Sequence, residues 1–189
     1  MLNDVVVIDD FFGKTKFQWL KNIVTSSEQY WYFTETITGD EFDNKKFYGL
    51  SCEIVPEGYP DQYINIASSQ LIFSLNEQIK KTFSFDKVIR TRLDMTTYRG
   101  QESIRFNPHV DIEGKHFTSI FYLTTCNAPT IIYEEKSKST DIDLNLKFNV
   151  LKKIEAKENR LVVFDGHHIH TGMCATDVSR RILINSNFI

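Results

Sequence analysis

At 189 residues, with 41% hydrophobic and 25% charged residues and a formal net charge of −3, the chain has room for one domain with a well-filled core and not for two ordinary ones. The slightly acidic balance gives no argument for a nucleic-acid or anionic-membrane partner. Cys52, Cys126 and Cys174 are odd in number and far apart, so they make neither a disulfide framework nor a zinc pair and point to a reducing, cytoplasmic setting.

The start, MLNDVVVIDDFF, carries acidic residues and no basic leader, and no apolar run reaches spanning length, which predicts neither a signal peptide nor a transmembrane helix. The β-branched run 5–8 predicts a strand, after which Asp10 is placed to cap a helix. Over 14–26, Phe17, Leu20, Ile23 and Val24 recur at helical spacing, with Trp19 near that stripe and expected in the core. Aromatics crowd residues 30–33 into a strand. Residues 40–46 form a charged loop, 47–55 are extended, and Pro56, Gly58 and Pro60 mark a break. The span 63–83 carries Ile66, Leu71, Ile72, Leu75, Ile79 and Phe83 and predicts the best helix, closed by a lysine pair suited to its C-terminal end.

Past that helix the period changes from about 3.6 to about 2. Residues 87–98 place Arg90, Arg92, Asp94, Thr96 and Tyr98 on one face, which either meets solvent or lines a wet pocket. Further strands are expected at 116–124, 130–135, 148–154, 161–164 and 181–188, with a polar linker at 136–146. Two helices ahead of antiparallel strands imply an α+β, mainly β chain closed into a sandwich or jelly roll, the helices covering one sheet and a site lying between the sheets. Residues 1–86 read as helical support with outer strands and 87–189 as the jelly-roll core of one domain.

Within 105–125 stands His109-Val110-Asp111. In an extended chain, which Pro108 favours, His109 and Asp111 share a face and can grip one metal ion. A third ligand is available in RLVVFDGHHIHTG, where His170 follows an apolar strand and an Asp165-Gly166 turn; His116, His167 and His168 are also at hand, and His168 shares a face with His170 if that segment is extended. Two neutral imidazoles and one carboxylate with open positions beside them suit non-haem Fe(II) that takes a cosubstrate and O₂.

PHVD, the strand TSIFYL, RLVVFDGHHIHTG and the ending SRRILINSNF together resemble Fe(II)- and 2-oxoglutarate-dependent dioxygenases, the prolyl-4-hydroxylase-like group in particular, over roughly residue 93 to the C-terminus. The resemblance implies a double-stranded β-helix with iron held by His109, Asp111 and His170. It also implies a basic anchor for the far carboxylate of 2-oxoglutarate on the last strand. Arg180 and Arg181 both stand there, facing opposite ways. Arg180 shares a face with Ile182, Ile184, Ser186 and Phe188, which makes it the core-facing anchor and leaves Arg181, on the side of Asn185 and Asn187, as the runner-up. By the same resemblance Tyr122 hydrogen-bonds that carboxylate, Tyr98 stands at the pocket edge, and Thr118, on Tyr122's face, is a further pocket candidate. The glycine pair often found after the tyrosine strand is replaced by Ala128-Pro129.

The implied reaction is hydroxylation of an unactivated C–H bond with release of succinate and CO₂, using Fe(II), 2-oxoglutarate, O₂ and, as a candidate reductant, ascorbate. The substrate is a small molecule or peptide, with a prolyl group as the natural first candidate. Arg90, Arg92, Arg99 and Arg105 could meet a carboxylate or phosphate on it, or be solvated charges. Two other classes fit the ligand set. A metal-dependent hydrolase lacks an evident separate base here, and a non-catalytic jelly-roll binding module would be expected to lose a ligand or the arginine.

Overall fold

The computed structural model describes residues 5–35, 37–38, 48–100, 102 and 104–189; the charged loop expected at 40–46 lies outside the described residues. In chain order the elements are β1 (Val6–Ile8), α1 (Lys14–Val24), β2 (Tyr32–Thr34), β3 (Gly49–Val55), α2 (Ser69–Phe83), β4 (Val88–Thr97), β5 (Phe117–Tyr122), β6 (Cys126–Lys136), β7 (Val150–Ala156), β8 (Leu161–Asp165), β9 (His168–Thr171) and β10 (Arg180–Phe188). Among the described residues the strands form a seven-stranded sheet, β1-β8-β5-β10-β4-β3-β2, and a three-stranded sheet, β7-β6-β9, with antiparallel pairing throughout.

The central strands of the large sheet, β8, β5, β10 and β4, are covered on both faces, and this decides where everything else goes. One face, with Leu93, Met95, Phe121, Val163, Ile182 and Ile184, packs under the helices against Leu20, Val24, Ile72, Leu75 and Ile79. The other face turns Ile120, Tyr122, Val162, Phe164 and Leu183 toward Cys126, Ala128, Ile132, Ile154 and Ala156 of the small sheet. The result is a jelly-roll sandwich with helices on its outer side, as the run of strands behind two helices predicts.

The helices follow their apolar spacing. In α1 the buried residues are Phe17, Leu20 and Val24. Trp19 was expected in the core and is instead 60% exposed, because two positions beyond Phe17 carries it about 200° round the helix. Asp10 does not cap α1: the N-cap is Gly13, and Asp10 sits in a left-handed turn. The neighbouring Asp9 ties the end of β1 to Lys157 and Arg160 at 2.8 and 2.6 Å. Helix α2 begins at Ser69, six residues later than the periodicity suggests. The Ile64 N–H donates to the Ile54 carbonyl, and Ser69 bonds back to the Ile64 carbonyl, so the preceding residues are held along β3. The helix closes at Ser84 in the left-handed region, after Lys80 and Lys81 in the last turn.

Candidate metal centre

The strand β4 alternation resolves in favour of a pocket. Its polar face carries Arg90, Arg92, Asp94 and Thr96, which are paired in register with Asn187, Asn185, Leu183 and Arg181 of β10. These rows look toward the small sheet, and Arg92, Asp94, Thr96, Ile120, Thr130, Arg181, Leu183 and Asn185 line a cavity together with His109 and His170.

His109 and His170 meet across a short antiparallel bridge, each backbone N–H donating to the other's carbonyl at 2.9 Å. That bridge brings the imidazole rings to a centroid separation of 4.5 Å. Asp111, one step along the same face, places Oδ1 3.9 Å from His109 Nε2 and Oδ2 3.7 Å from His170 Nε2. Ligand atoms of all three lie within 4.8 Å of one another. Each imidazole uses Nδ1 on a backbone carbonyl at 3.1 Å, Asn107 for His109 and His168 for His170. An Nδ1–H donated to a carbonyl leaves the Nε2 lone pair free, which is the tautomer a metal requires.

The charges agree with that reading. Burial, with His170 beside it, pushes the pKa of His109 down to about 3, so the ring is neutral at ordinary pH. Burial pulls Asp111 upward, yet the nearby His170, Arg90 and His109 outweigh it and hold the carboxyl well below the usual range. The carboxylate is fixed from several sides. Asn185 Nδ2 donates to Oδ1 at 3.0 Å, and Asn187 Nδ2 and Thr118 Oγ1 each donate to Oδ2 at 3.0 Å. Arg90 Nη2 lies 3.2 Å from Oδ1, and Arg90 Nη1 donates to the Asp111 carbonyl. The donor set therefore fits a divalent ion of the Fe(II) type: two neutral nitrogens and one oriented carboxylate on one side, an open cavity on the other.

The other histidines stay outside this cluster. His168 shares its strand with His170, but its Nδ1 bonds the Tyr133 carbonyl at 2.7 Å. His116 is buried with Nδ1 on the Gly114 carbonyl, and His167 leans on Asp165 at 3.3 Å.

The arginine assignment needs correcting. Arg180 is exposed, at the solvent end of the helix-covered face, whereas Arg181 is 4% exposed and lines the cavity. The expectation followed the apolar row of Ile182 and Ile184, but that row packs on the helices, so the polar row of Arg181, Asn185 and Asn187 is the one that faces the site. Arg181 Nε donates to the Ala128 carbonyl and Nη2 to Thr130 Oγ1, both at 3.1 Å. Tyr122 donates its hydroxyl to the same Thr130 oxygen at 2.6 Å, beneath the guanidinium. No carboxylate among the described residues lies within ion-pair distance of Arg181.

Tyr98 also departs from expectation. It follows the end of β4, is 47% exposed, and is not among the cavity residues. Thr118 serves Asp111 rather than the cavity wall, donating to the carboxylate and accepting from Asn187. The sequence reading missed Thr130, Asn185 and Asn187 as site residues. The two asparagines were visible as Arg181's face-mates, and Thr130 was visible only as the residue after Pro129.

No family model matches the sequence, and neither does any curated protein. Solved structures do match. A Burkholderia pseudomallei oxidoreductase of the 2OG-Fe(II) oxygenase family superposes with a TM-score of 0.67 at 11% identity, over 97% of this chain and 84% of that one. A Trichoplax adhaerens prolyl hydroxylase, in complex with a hypoxia inducible factor oxygen degradation domain peptide fragment, gives 0.63 at 15% identity over 100% and 84%. A Pseudomonas putida prolyl-4-hydroxylase gives 0.58 at 14% identity over 97% and 91%. The chain has the double-stranded β-helix fold of these oxygenases.

Proposed function

We propose that this chain is an Fe(II)- and 2-oxoglutarate-dependent oxygenase that hydroxylates an unactivated C–H bond. The observation that carries the reading is the pairing of a His-Asp-His cluster with a buried, anion-less Arg181 in one cavity. A buried guanidinium with no carboxylate beside it among the described residues is costly even when neutral groups bond it, and a bound dicarboxylate would offset that cost.

His109, Asp111 and His170 would hold Fe(II). Arg181 would receive the far carboxylate of 2-oxoglutarate. Its Nε and Nη2 are tethered to Ala128 and Thr130, which fixes the plane of the fork before the ligand arrives. Tyr122 positions Thr130 and supplies the floor under the guanidinium. Ile120, Leu183 and Phe106 give the cavity its apolar walls and keep water from the reacting bond. When bound, iron and 2-oxoglutarate supply the oxidising power, with O₂ consumed and CO₂ and succinate released. Likeness to prolyl hydroxylases makes a prolyl ring the first substrate to try, with ascorbate as reductant.

The test is succinate formation from 2-oxoglutarate by protein supplied with Fe(II), ascorbate and O₂, alongside anaerobic iron binding. Native protein should bind one Fe(II) and form succinate slowly even without substrate. Asp111→Ala and His170→Ala should lose iron. Near-native iron affinity in both variants would sink the ligand assignment, and folded, iron-loaded protein that binds no 2-oxoglutarate would return the hydrolase and binding-module readings to the front.

A further inference from the structure

The cavity contains a second positioned arginine that neither the iron ligands nor the cosubstrate anchor uses. Arg92 and Asp94 are alternate residues of β4, so they share a face, and Arg92 Nε lies 2.6 Å from Asp94 Oδ1. Their side chains are 25% and 19% exposed, and both line the same cavity as His109 and His170. They also line a smaller adjoining pocket with Thr34, Ile37 and Ser51, toward the β2 edge of the sheet. The other arginines raised by the sequence are accounted for differently. Arg90 is engaged by Asp111, Arg99 stacks on the ring of Tyr48 at 3.7 Å, and Arg105 is exposed.

Register places Arg92 well away from Arg181. Arg92 pairs with Asn185, whose amide touches Asp111, whereas Arg181 pairs with Thr96. Four residues of strand separate the two rows, roughly 13 Å at about 3.3 Å per residue. A carboxylate held by Arg181 therefore does not occupy Arg92, which stands in register with an asparagine that holds Asp111.

The state of the pair indicates what it would bind. Asp94 is ion-paired with Arg92 at Nε, where the angle misses hydrogen-bond geometry, and among the described residues neither the outer nitrogens nor the second Asp94 oxygen makes a hydrogen bond. The Asp94 charge, with burial opposing it, pushes the Arg92 pKa up, with smaller support from Asp111 and from Glu53 across the strand pair. Glu53 is exposed, so its charge is screened by solvent. What remains on these two cavity-lining residues is a planar two-N–H edge and a carboxylate oxygen without a hydrogen-bond partner among the described residues. That edge matches a carboxylate bidentately, and the oxygen matches an amine next to it. Any anion here meets Asp94 as a like charge, which an α-amino acid offsets with its ammonium group and a phosphate dianion does not.

We propose that Arg92, oriented by Asp94, is the substrate-recognition group of this site, and that the substrate class is a free α-amino acid held by its carboxylate. This rests on the oxygenase reading for the chemistry and adds the identity of what is oxidised.

The test compares binding of free L-amino acids, proline included, with binding of their C-terminal amides. Calorimetry is done anaerobically on protein loaded with Fe(II) and 2-oxoglutarate. At least one free acid should bind about 100-fold more tightly than its amide, the range expected for a charge-assisted bidentate contact. Arg92→Gln should bring acid and amide to within about threefold, while Arg92→Lys, which keeps the charge without the fork, should retain part of the preference. If Arg92→Gln does not fold, the lysine variant and Asp94→Asn carry the comparison, both with reduced preference. Equal binding of acids and amides by native protein, no binding of any free amino acid, or a preference that survives in Arg92→Gln overturns the proposal. Failure of native protein to bind 2-oxoglutarate counts against the oxygenase reading instead. The acid–amide comparison is then made on metal-free protein, where Arg92 and Asp94 are already in place.

Discussion

Arg180 and Arg181 are separated by one peptide bond, yet one is exposed to solvent and the other is buried over Tyr122. Side chains on a strand alternate between faces, so the chemistry of this site turns on a register of one residue. Arg181→Ala is expected to weaken 2-oxoglutarate binding by about two to four orders of magnitude, because breaking a buried ion pair costs about 3–5 kcal/mol. Arg180→Ala removes a surface group and should change the same dissociation constant by no more than about twofold. Both constants are measured by titration at fixed Fe(II). The opposite ranking would contradict the register, and negligible change in both would remove 2-oxoglutarate from the account. Neither residue touches Asp111, His109 or His170, so iron affinity without cosubstrate should stay near native in both.

At the scale of elements, the turn between β8 and β9 sets where His170 enters the cavity. Gly166 closes that turn, with its N–H on the His116 carbonyl at 2.9 Å, and it lies against the His116 imidazole so closely that an added Cβ would overlap the ring. His116 is 1% exposed, and its ring is fixed by the Gly114 carbonyl, so it has little freedom to retreat. Gly166→Ala should therefore destabilise the protein by about 1–3 kcal/mol through overpacking, read as a lower urea midpoint. The overlap is specific to one neighbour. Adding His116→Ala should recover part of the loss, so that the double variant costs less than the two single changes together. Strict additivity would mean that the turn, and not the histidine, sets the requirement for glycine.

For the whole molecule, the buried ligand cluster links stability to pH. His109 titrates near 3 when folded and near 6.5 when unfolded, so below neutrality the unfolded chain binds the extra proton. Stability is then fully present above about pH 6.5 and falls as the pH drops from there toward 3, by at most about 1.4 kcal/mol per pH unit. With 26% of the His109 side chain exposed, the slope should be shallower than that limit. Asp111, whose folded pKa is depressed, adds a loss of the same sign below about pH 4. Urea unfolding of metal-free protein at pH 7.5 and 5.5 should show the lower midpoint at 5.5. Saturating Fe(II) should raise both midpoints by a similar amount, because His109 and Asp111 are already deprotonated in the folded state at both pH values. Equal midpoints in metal-free protein would mean that His109 is freely protonated in the folded state.

The pairing of His109 with Asp111 was legible in the sequence because it depends on local spacing. His109 and Asp111 share a face in any extended chain, whereas His170 was singled out from the other histidines by the family resemblance and is brought to them by the tertiary bridge. The helical stripes of Phe17, Leu20 and Val24 and of Ile72, Leu75 and Ile79 were legible from local spacing too. Which side of the large sheet holds the site was not a local property. An apolar row tells that a face is buried, but not what buries it, and here Ile182 and Ile184 are covered by helices brought from the other end of the chain. The tertiary structure alone put Arg181 in the cavity, moved Tyr98 out of it, and set Asn185 and Asn187 on the carboxylate of Asp111. It also joined Arg92 to the site, since a charged row on a strand faces solvent or pocket according to whether a second sheet stands over it.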